Sequence, residues 1–241
     1  LPQKIIIVDD GSTDEFSIRV LKDIEKMSDL PVPVMIYYQE NRGVSSARNT
    51  GIKKAQAPMV LVLDGDDKLE PEYAACVSQL LRDNPLMVAA SSWMHTFGVL
   101  DSGVCPSGGK ISAFLSRNCC PATHILRRDV FEQCGGYDET MRSGFEDWDF
   151  FLRMLETNVD SRIGIVEKPL LWYRTAPASS NIKSMDKRLE LMRFMIEKHV
   201  ESYHDHIVDA LLGIESISNF RLFNWENEVT HMITNHQELC R

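Results

Sequence analysis

The sequence lacks the features of a membrane-spanning, fibrous or disordered protein. It has no apolar run near the roughly 20 residues that cross a bilayer, no signal peptide at its start, and no low-complexity tract or repeat. Among its 241 residues, 44% are hydrophobic and 25% are charged, which is enough apolar material for a sizeable core. These features favour one globular domain, with or without a helical extension.

Basic residues are comparatively scarce. The chain has 26 Lys and Arg residues against 35 Asp and Glu residues, a formal net charge of −9. Proteins that bind nucleic acid usually present a basic face, so we expect no nucleic-acid partner. One small anionic ligand, held by a few local cations, is compatible with this charge.

Zinc-type cysteine spacing is also absent. The six cysteines occupy positions 76, 105, 119, 120, 134 and 240, and no second pair matches the neighbours at 119 and 120. This pattern favours reduced thiols. We therefore predict a cytoplasmic protein, with peripheral contact to a membrane surface as the second option.

Strand and helix patterns alternate through the first ninety residues. The apolar run at 5–8 predicts a buried strand, and further strands are predicted at 34–38, 59–63 and 86–90 with helices between them. This alternation favours an α/β fold with a mainly parallel sheet flanked by helices. Residues 98–109 are rich in Gly, Ser and Pro and predict a mobile loop. Two strands are predicted late in the chain, at 162–166 and 170–173.

Two of the predicted strands end in acidic clusters, at Asp9-Asp10 and at residues 64–67, which read DGDD. Ligands gather at the carboxyl ends of parallel strands. Because neighbouring carboxylates repel one another, the DGDD cluster suggests a compensating cation, and hard oxygen donors suit Mg²⁺ or Mn²⁺. The alternative for DGDD is a solvated acidic turn. The alternative for Asp9-Asp10 is a helix cap.

Two later segments also carry chemistry. Glu146 and Asp147 open a predicted helix, where the helix dipole stabilises a carboxylate and a rigid element could hold a general base. Trp148 beside them could face a sugar or pack in the core. Arg174 ends a late strand and could bind a diphosphate through its planar guanidinium, or it could be an ordinary surface arginine.

Five blocks, in order, resemble the motifs of family 2 glycosyltransferases. They are VDDGSTD at 8–14, NRG with ARNTG across 41–51, DGDD at 64–67, GGYDE at 135–139 and EDWD at 146–149. The resemblance covers roughly residues 5–174. It implies the nucleotide-sugar transferase fold called GT-A and single-displacement, inverting chemistry with a nucleotide-sugar donor, for which we expect a UDP-sugar.

The resemblance also implies a role for each matching residue on the donor side. Asp10, with Asp9 beside it, would contact the nucleobase, and Arg48 and Asn49 would line the nucleotide pocket. Asp64 would reach the ribose and, with Asp66, would form the site of Mn²⁺ or Mg²⁺ bridging the diphosphate. Arg174 sits where such enzymes often place a diphosphate-binding cation.

On the acceptor side, the resemblance implies that Asp147, next to Glu146, is the base that deprotonates an acceptor hydroxyl. The acceptor would be a glycan or a lipid-linked sugar, as in polysaccharide biosynthesis. A nucleotidyltransferase is a second reading, but it would need a glycine-rich phosphate loop that the sequence does not show. A non-catalytic module that binds nucleotide sugars is the third reading.

The N-terminus departs from the family pattern. Family members normally begin with an apolar strand and helix before the VDDGS segment, whereas here residues 1–4 lead into that segment at once. We therefore expect that a first strand-helix unit is missing from the sequence.

The C-terminal part reads as helical. We predict a catalytic domain at 1–183 and a helical extension at 184–241, interrupted near Ser218-Asn219. The extension could pack on the catalytic domain, form a homodimer or approach a membrane. Its histidines, His199, His204 and His206, do not have metal-site spacing, so we expect them to be solvated.

Overall fold

The computed structural model describes residues 1–177 and 185–239, with side chains of the last helix described up to residue 227 and at Val229. The strands are β1 (Ile5–Asp9), β2 (Val34–Tyr38), β3 (Met59–Val62), β4 (Lys68–Leu69), β5 (Met87–Gly98), β6 (Ser102–Val104), β7 (His124–Arg127) and β8 (Arg162–Thr175). The helices are α1 (Glu15–Glu25), α2 (Val44–Lys54), α3 (Tyr73–Asp83), α4 (Ile111–Phe114), α5 (Arg128–Cys134), α6 (Glu146–Leu155), α7 (Arg188–Lys198), α8 (Val200–Asp205) and α9 (Ile207–Leu239).

Strands β1 and β2 form a parallel two-stranded sheet of their own. The connection between them is α1, whose N-cap Asp14 accepts a 2.8 Å hydrogen bond from the Ser17 amide. The predicted strand at 5–8 is confirmed, but its predicted burial is wrong. Ile5 is 42% exposed. Within the described residues β1 pairs with β2 alone, so its second edge is unpaired. The missing N-terminal unit stays a prediction.

The larger sheet has six strands in the order β3-β7-β5-β8-β4, with β6 paired to β5. The α/β fold class is confirmed, and the six-stranded sheet is mixed: its longest pairing, β5–β8, is parallel, and the shorter pairings among the described strands are antiparallel. Parallel neighbours need a crossover of a dozen or more residues. The strand-helix alternation that suggested such crossovers stops at β5, where the β5–β6 hairpin begins.

Helix α6 crosses the main core. Its residues Phe150, Phe151 and Leu152 are fully buried, and Met154 and Leu155 are buried with them. Burying one such side chain contributes about 1.5–3 kcal/mol. Trp148 is also buried and donates through Nε1 to the Phe114 carbonyl at 2.5 Å, so it packs in the core rather than facing a sugar. This packing fixes the start of α6, where Glu146 and Asp147 lie.

Several local predictions differ from the structure. The predicted loop at 98–109 contains β6, and the two predicted late strands are one strand, β8. The predicted interruption at Ser218-Asn219 is wrong, because α9 runs through both residues. Relative to alanine, a serine or an asparagine inside a helix lowers helix stability by less than about 1 kcal/mol, and the neighbouring helical turns can offset this loss.

The C-terminal helices pack against the main core around α6. Met195, Tyr203 and Ala210, from α7, α8 and α9, belong to the same buried cluster as α6. His199 is buried as well, so the prediction that it is solvated is wrong, whereas His204 is exposed as predicted. The predicted domain boundary between 183 and 184 lies outside the described residues.

Farther along, α9 leaves apolar side chains such as Leu211, Phe220 and Trp225 exposed. No helix within the described residues is both long and apolar enough to cross a membrane. A homodimer contact through the C-terminal helices stays a prediction.

Candidate functional site

Arg48, on α2, joins two of the predicted site segments. Its Nη2 lies 2.8 and 2.9 Å from the two carboxylate oxygens of Asp64, at the end of β3. Its Nη1 donates a short hydrogen bond to Asp147 Oδ1 at the start of α6 and lies 3.7 Å from Glu146 Oε1. The structure therefore brings together residues 16 and 99 positions apart in sequence. A single buried guanidinium connects the DGDD loop with the EDWD helix.

The Arg48 side chain is only 7% exposed, so its charge needs compensation. Burial alone would lower its pKa, but the nearby carboxylates of Asp147 and Asp64 outweigh burial and raise the pKa well above the ordinary value. The Tyr137 ring lies beneath the guanidinium carbon, 5.4 Å from it. Arg48 is therefore a permanently charged centre of this cluster.

Asp147 is the second residue of α6. Burial raises its pKa, and the neighbouring carboxylates of Glu146 and Asp64 raise it further, whereas Arg48 opposes both effects. A carboxyl group with a raised pKa can exchange a proton nearer neutral pH. Phe145, which precedes the helix, has φ of 64° and is the one non-glycine residue with positive φ in the described part of the chain. Such backbone strain recurs at functional sites.

The DGDD loop presents its carboxylates at different depths. The Asp64 side chain is 30% exposed, and that of Asp66 is 56% exposed. Asp67 turns inward, accepting 2.9 Å and 3.2 Å hydrogen bonds from the Arg174 amide and Thr123 Oγ1. Burial raises the pKa of Asp67 to about 6, helped by Asp64 and Asp66 and opposed by these hydrogen bonds.

Arg174, the predicted diphosphate-binding cation, lies beside this loop, and its diphosphate contact stays a prediction. Its Nη1 is 3.6 Å from Asp66 Oδ2, and its side chain is 52% exposed. No group of three or more His, Cys, Asp or Glu side chains is arranged as a metal site in the described ranges. Asp66 is the more accessible oxygen donor because Arg48 binds both oxygens of Asp64. The hard carboxylates fit Mg²⁺ or Mn²⁺, which typically take one or two protein carboxylates and fill the remaining positions with phosphate oxygens and water.

Three predicted nucleotide-binding residues have hydrogen bonds within the protein. Asp10 accepts from Gln39 Nε2 at 2.7 Å and from the amides of Arg42 and Gly43 at 3.0 and 2.8 Å, which fixes the turn before α2. Asp9 accepts two longer bonds, both 3.3 Å, from the Ser12 amide.

Asn49 binds the GGYDE segment. Its amide group donates to the Tyr137 carbonyl at 2.9 Å and accepts from the Tyr137 amide at 2.8 Å, and it also donates to Glu139 at 2.9 Å. Asn49 is thus placed to position this loop. A direct nucleotide contact by Asp10 or Asn49 stays a prediction.

A surface pocket of about 440 Å³ opens beside Asp9. Its walls are Ser12, Ile18, Leu21, Lys22, Glu25 and Tyr38. The mixture of an aromatic ring, a lysine and carboxylates offers stacking and hydrogen bonding. This pocket lies at the end of β1, where the sequence predicts base recognition.

Sequence reasoning missed three residues around Arg48. Tyr137, although part of the GGYDE block, was not expected to support the guanidinium. Thr123, which binds Asp67, belongs to no motif. His124 on β7 is fully buried, and burial lowers its pKa to about 4, so this ring is neutral. No pattern in the sequence marks Thr123 or His124, because their role depends on the antiparallel β3–β7 pairing.

All five cysteines within the described residues are free thiols.

Comparison with known proteins agrees with this arrangement of motifs. Residues 1–135 match the family described as Glycosyl transferase family 2. The chain belongs to glycosyl transferase family 2. This match extends from β1 through α5 and so includes the Asp9, Arg48 and Asp64 segments.

Two individual relatives are less than 30% identical to the chain. It is 25% identical to the uncharacterized glycosyltransferase YwdF of Bacillus subtilis over 83% of this chain and 74% of YwdF. It is 28% identical to the succinoglycan biosynthesis protein ExoU of Rhizobium meliloti over 66% of this chain and 51% of ExoU. The chain thus spans about half the length of one relative and three quarters of the other.

Among solved structures, the chain resembles residues 1–349 of S. aureus TarS in complex with UDP-GlcNAc, with a TM-score of 0.62 and 15% sequence identity. The match covers 81% of this chain and 59% of that one. At this identity the likeness concerns the fold.

Proposed function

We propose that the protein is an inverting glycosyltransferase that moves a sugar from a UDP-sugar to a hydroxyl of a glycan or lipid-linked acceptor. The observation that carries this proposal is the cluster in which Arg48 connects Asp64 with Asp147. It places a residue predicted to bind the donor and the predicted base around one cation. Membership of glycosyl transferase family 2 and the UDP-GlcNAc complex of TarS support the donor class.

Asp147 is the proposed general base. In the transfer step it takes the proton from the acceptor hydroxyl while the hydroxyl oxygen forms a bond to the anomeric carbon. The bond between that carbon and the diphosphate oxygen breaks on the opposite face, and its electron pair leaves with the nucleoside diphosphate. This single displacement inverts the anomeric configuration and needs no covalent enzyme intermediate. The raised pKa of Asp147 favours proton acceptance.

The departing diphosphate accumulates negative charge. Arg174, half exposed beside Asp66, can bind its oxygens in a bidentate manner. Asp66, with Asp64, would hold a Mn²⁺ or Mg²⁺ ion, which supplies further electrostatic stabilisation of the leaving group when bound. Glu146 supports the site through its charge, because it adds to the field that raises the pKa of Asp147.

The test combines donor binding with turnover. Calorimetric titration of UDP, GDP and dTDP, with Mn²⁺ and with chelator, should show metal-dependent binding of UDP. Asp147→Asn should lower transfer from the UDP-sugar by about 10²–10⁴-fold while leaving UDP affinity unchanged. Asp129→Asn is the matched control, since Asp129 is the exposed second residue of α5, as Asp147 is the second residue of α6.

Normal transfer by Asp147→Asn would contradict the role of the base. UDP binding without any transfer or donor hydrolysis would instead favour a non-catalytic module that binds nucleotide sugars.

A further inference from the structure

Asp149, two residues after the proposed base, is completely buried and surrounded by cations. Its carboxylate lies 2.8 Å from Arg153 Nε, 2.7 Å from Lys198 Nζ and 3.1 Å from His199 Nε2. Arg153 belongs to α6 itself. Lys198 is the last residue of α7, and His199 joins α7 to α8. The C-terminal helices therefore contact the catalytic helix through its one buried carboxylate in the first turn.

His199 contacts two carboxylates at once. Its second ring nitrogen, Nδ1, lies 2.8 Å from Glu156 Oε1, at the C-cap of α6, and its side chain is 1% exposed. A neutral imidazole carries one N–H group, whereas both nitrogens donate in the charged form. Two carboxylate acceptors on opposite sides of the ring therefore favour the imidazolium, which connects the first turn of α6 with its last.

Lys198 extends this network towards Arg48. Besides Asp149, its Nζ contacts Asp138 Oδ2 at 2.6 Å. Asp138 directly follows Tyr137, the ring beneath the Arg48 guanidinium. At the other end of α7, the Arg188 guanidinium carbon lies 5.5 Å from the ring centre of Phe145, the strained residue before α6. The C-terminal helices thus contact the residues that flank Asp147 on both sides.

We propose that Lys198 and His199 are positioning residues, which hold α6 so that Asp147 stays in place for sugar transfer. This inference rests on the proposed function. The network contains three carboxylates, Asp138, Asp149 and Glu156, and three cationic side chains, Arg153, Lys198 and His199. Removing Lys198 or His199 leaves the buried Asp149 with two of its three cationic partners, and the start of α6 must shift or loosen to restore the lost compensation.

The proposal predicts a dependence of turnover on the protonation of His199. The charged and titratable groups facing this ring are Asp149 and Glu156 from α6, with Arg153 and Lys198 beside Asp149. As the pH rises and the imidazolium loses its proton, one of the two N–H donors disappears. Turnover should then fall on the alkaline side, and donor binding should not, because the donor segments lie on other elements.

The experiment compares His199→Gln and Lys198→Met with the wild-type chain. We expect kcat for transfer from the UDP-sugar to fall about 10-fold or more, with KM for the donor changed less than 2-fold. His199→Gln should also lose the alkaline limb of the kcat profile, and Lys198→Arg should restore most of the activity. His204→Gln, in the same extension but with an 86% exposed side chain, is the matched control and should behave as wild type.

Hydrogen exchange of the segment 142–150 gives a readout that does not need activity. His199→Gln should speed exchange there and leave the segment 5–14 unchanged. The proposal is overturned if kcat falls only with the unfolded fraction, or if donor KM rises by the same factor. Should the wild type show no transfer, the proposed function fails, and unchanged exchange at 142–150 would then overturn the positioning role as well.

Discussion

Arg48 Nη2 lies 2.8 and 2.9 Å from the two carboxylate oxygens of Asp64, so a single guanidinium nitrogen contacts both oxygens in an ion pair between α2 and the loop after β3. Hydrogen bonds between two charged groups are roughly twice as strong as those between neutral groups. The same guanidinium also binds Asp147. The charge balance of the whole site therefore depends on Arg48.

We expect Arg48→Gln to destabilise the protein by about 3–5 kcal/mol, because it leaves partly buried carboxylates without their cation. Arg48→Lys should recover part of this loss, since a lysine keeps the charge but not the two-pronged geometry. Urea denaturation would measure both changes. Arg42→Gln, an exposed arginine six residues earlier, serves as the control. Wild-type stability of Arg48→Gln would show that the cluster does not need this cation.

Asp66→Asn tests the metal site. Because Asp66 is the more exposed carboxylate of the loop, we expect this change to weaken Mn²⁺-dependent UDP binding about 10-fold or more. UDP binding in the presence of chelator should be unaffected. Calorimetry measures both affinities, with the exposed Asp29→Asn as the control. Equal loss with and without Mn²⁺ would argue for a fold defect instead of a missing ligand.

The local elements of the fold could be predicted largely from sequence, because their signals are local. The helix at 128–134 and its left-handed cap at Gly135, with φ of 81°, follow from apolar spacing and glycine chemistry. The pairing of distant strands could not be predicted in this way. The segment that connects β5 with β7 contains no sequence motif that indicates the antiparallel pairing of these two strands.

Only the parts of the candidate site that have local sequence signals could be predicted. The acidic residues at 64–67 and 146–149 stand out as motifs, but their connection through Arg48 spans 99 positions. The prediction that His199 is solvated is wrong because the spacing of residues along one helix does not show which other elements pack against that helix. Its two carboxylate partners come from α6, 50 and 43 residues earlier.

Gly136 offers a test of the loop that supports Arg48. Its φ is 77°, and an added Cβ would lie 2.7 Å from Asn49 Oδ1 and 2.9 Å from two Phe131 ring carbons. We expect Gly136→Ala to cost about 2–5 kcal/mol through backbone strain and overpacking, and to displace Tyr137. Thermal unfolding measures this change. Gly103→Ala, where a Cβ meets no atom within 4 Å, should cost much less. Similar losses for both variants would contradict the argument.

The Lys198–Asp138 pair should be visible in the pH dependence of stability. Burial raises the pKa of Asp138, but hydrogen bonds from Lys198 and Thr140 outweigh it and lower the pKa to about 2. A carboxyl group with a lowered folded-state pKa stabilises the protein above its unfolded-state pKa of about 3.9. That stabilisation is lost as the pH falls through about 2.

Lys198→Met should therefore unfold more easily than wild type at pH 5–7, by about 1–2 kcal/mol through Asp138, because Thr140 keeps its share of the lowered pKa of Asp138. The difference should shrink steadily as the pH falls from about 4 to 2, where the Asp138 carboxyl becomes protonated in both states. Urea denaturation at a series of pH values measures it. Lys26→Met is the control, because the Lys26–Asp23 contact is 3.4 Å long with both side chains mostly exposed, and such surface pairs contribute little. A difference between Lys198→Met and wild type that stays constant down to pH 2 would show that Lys198 acts through packing, not through its charge.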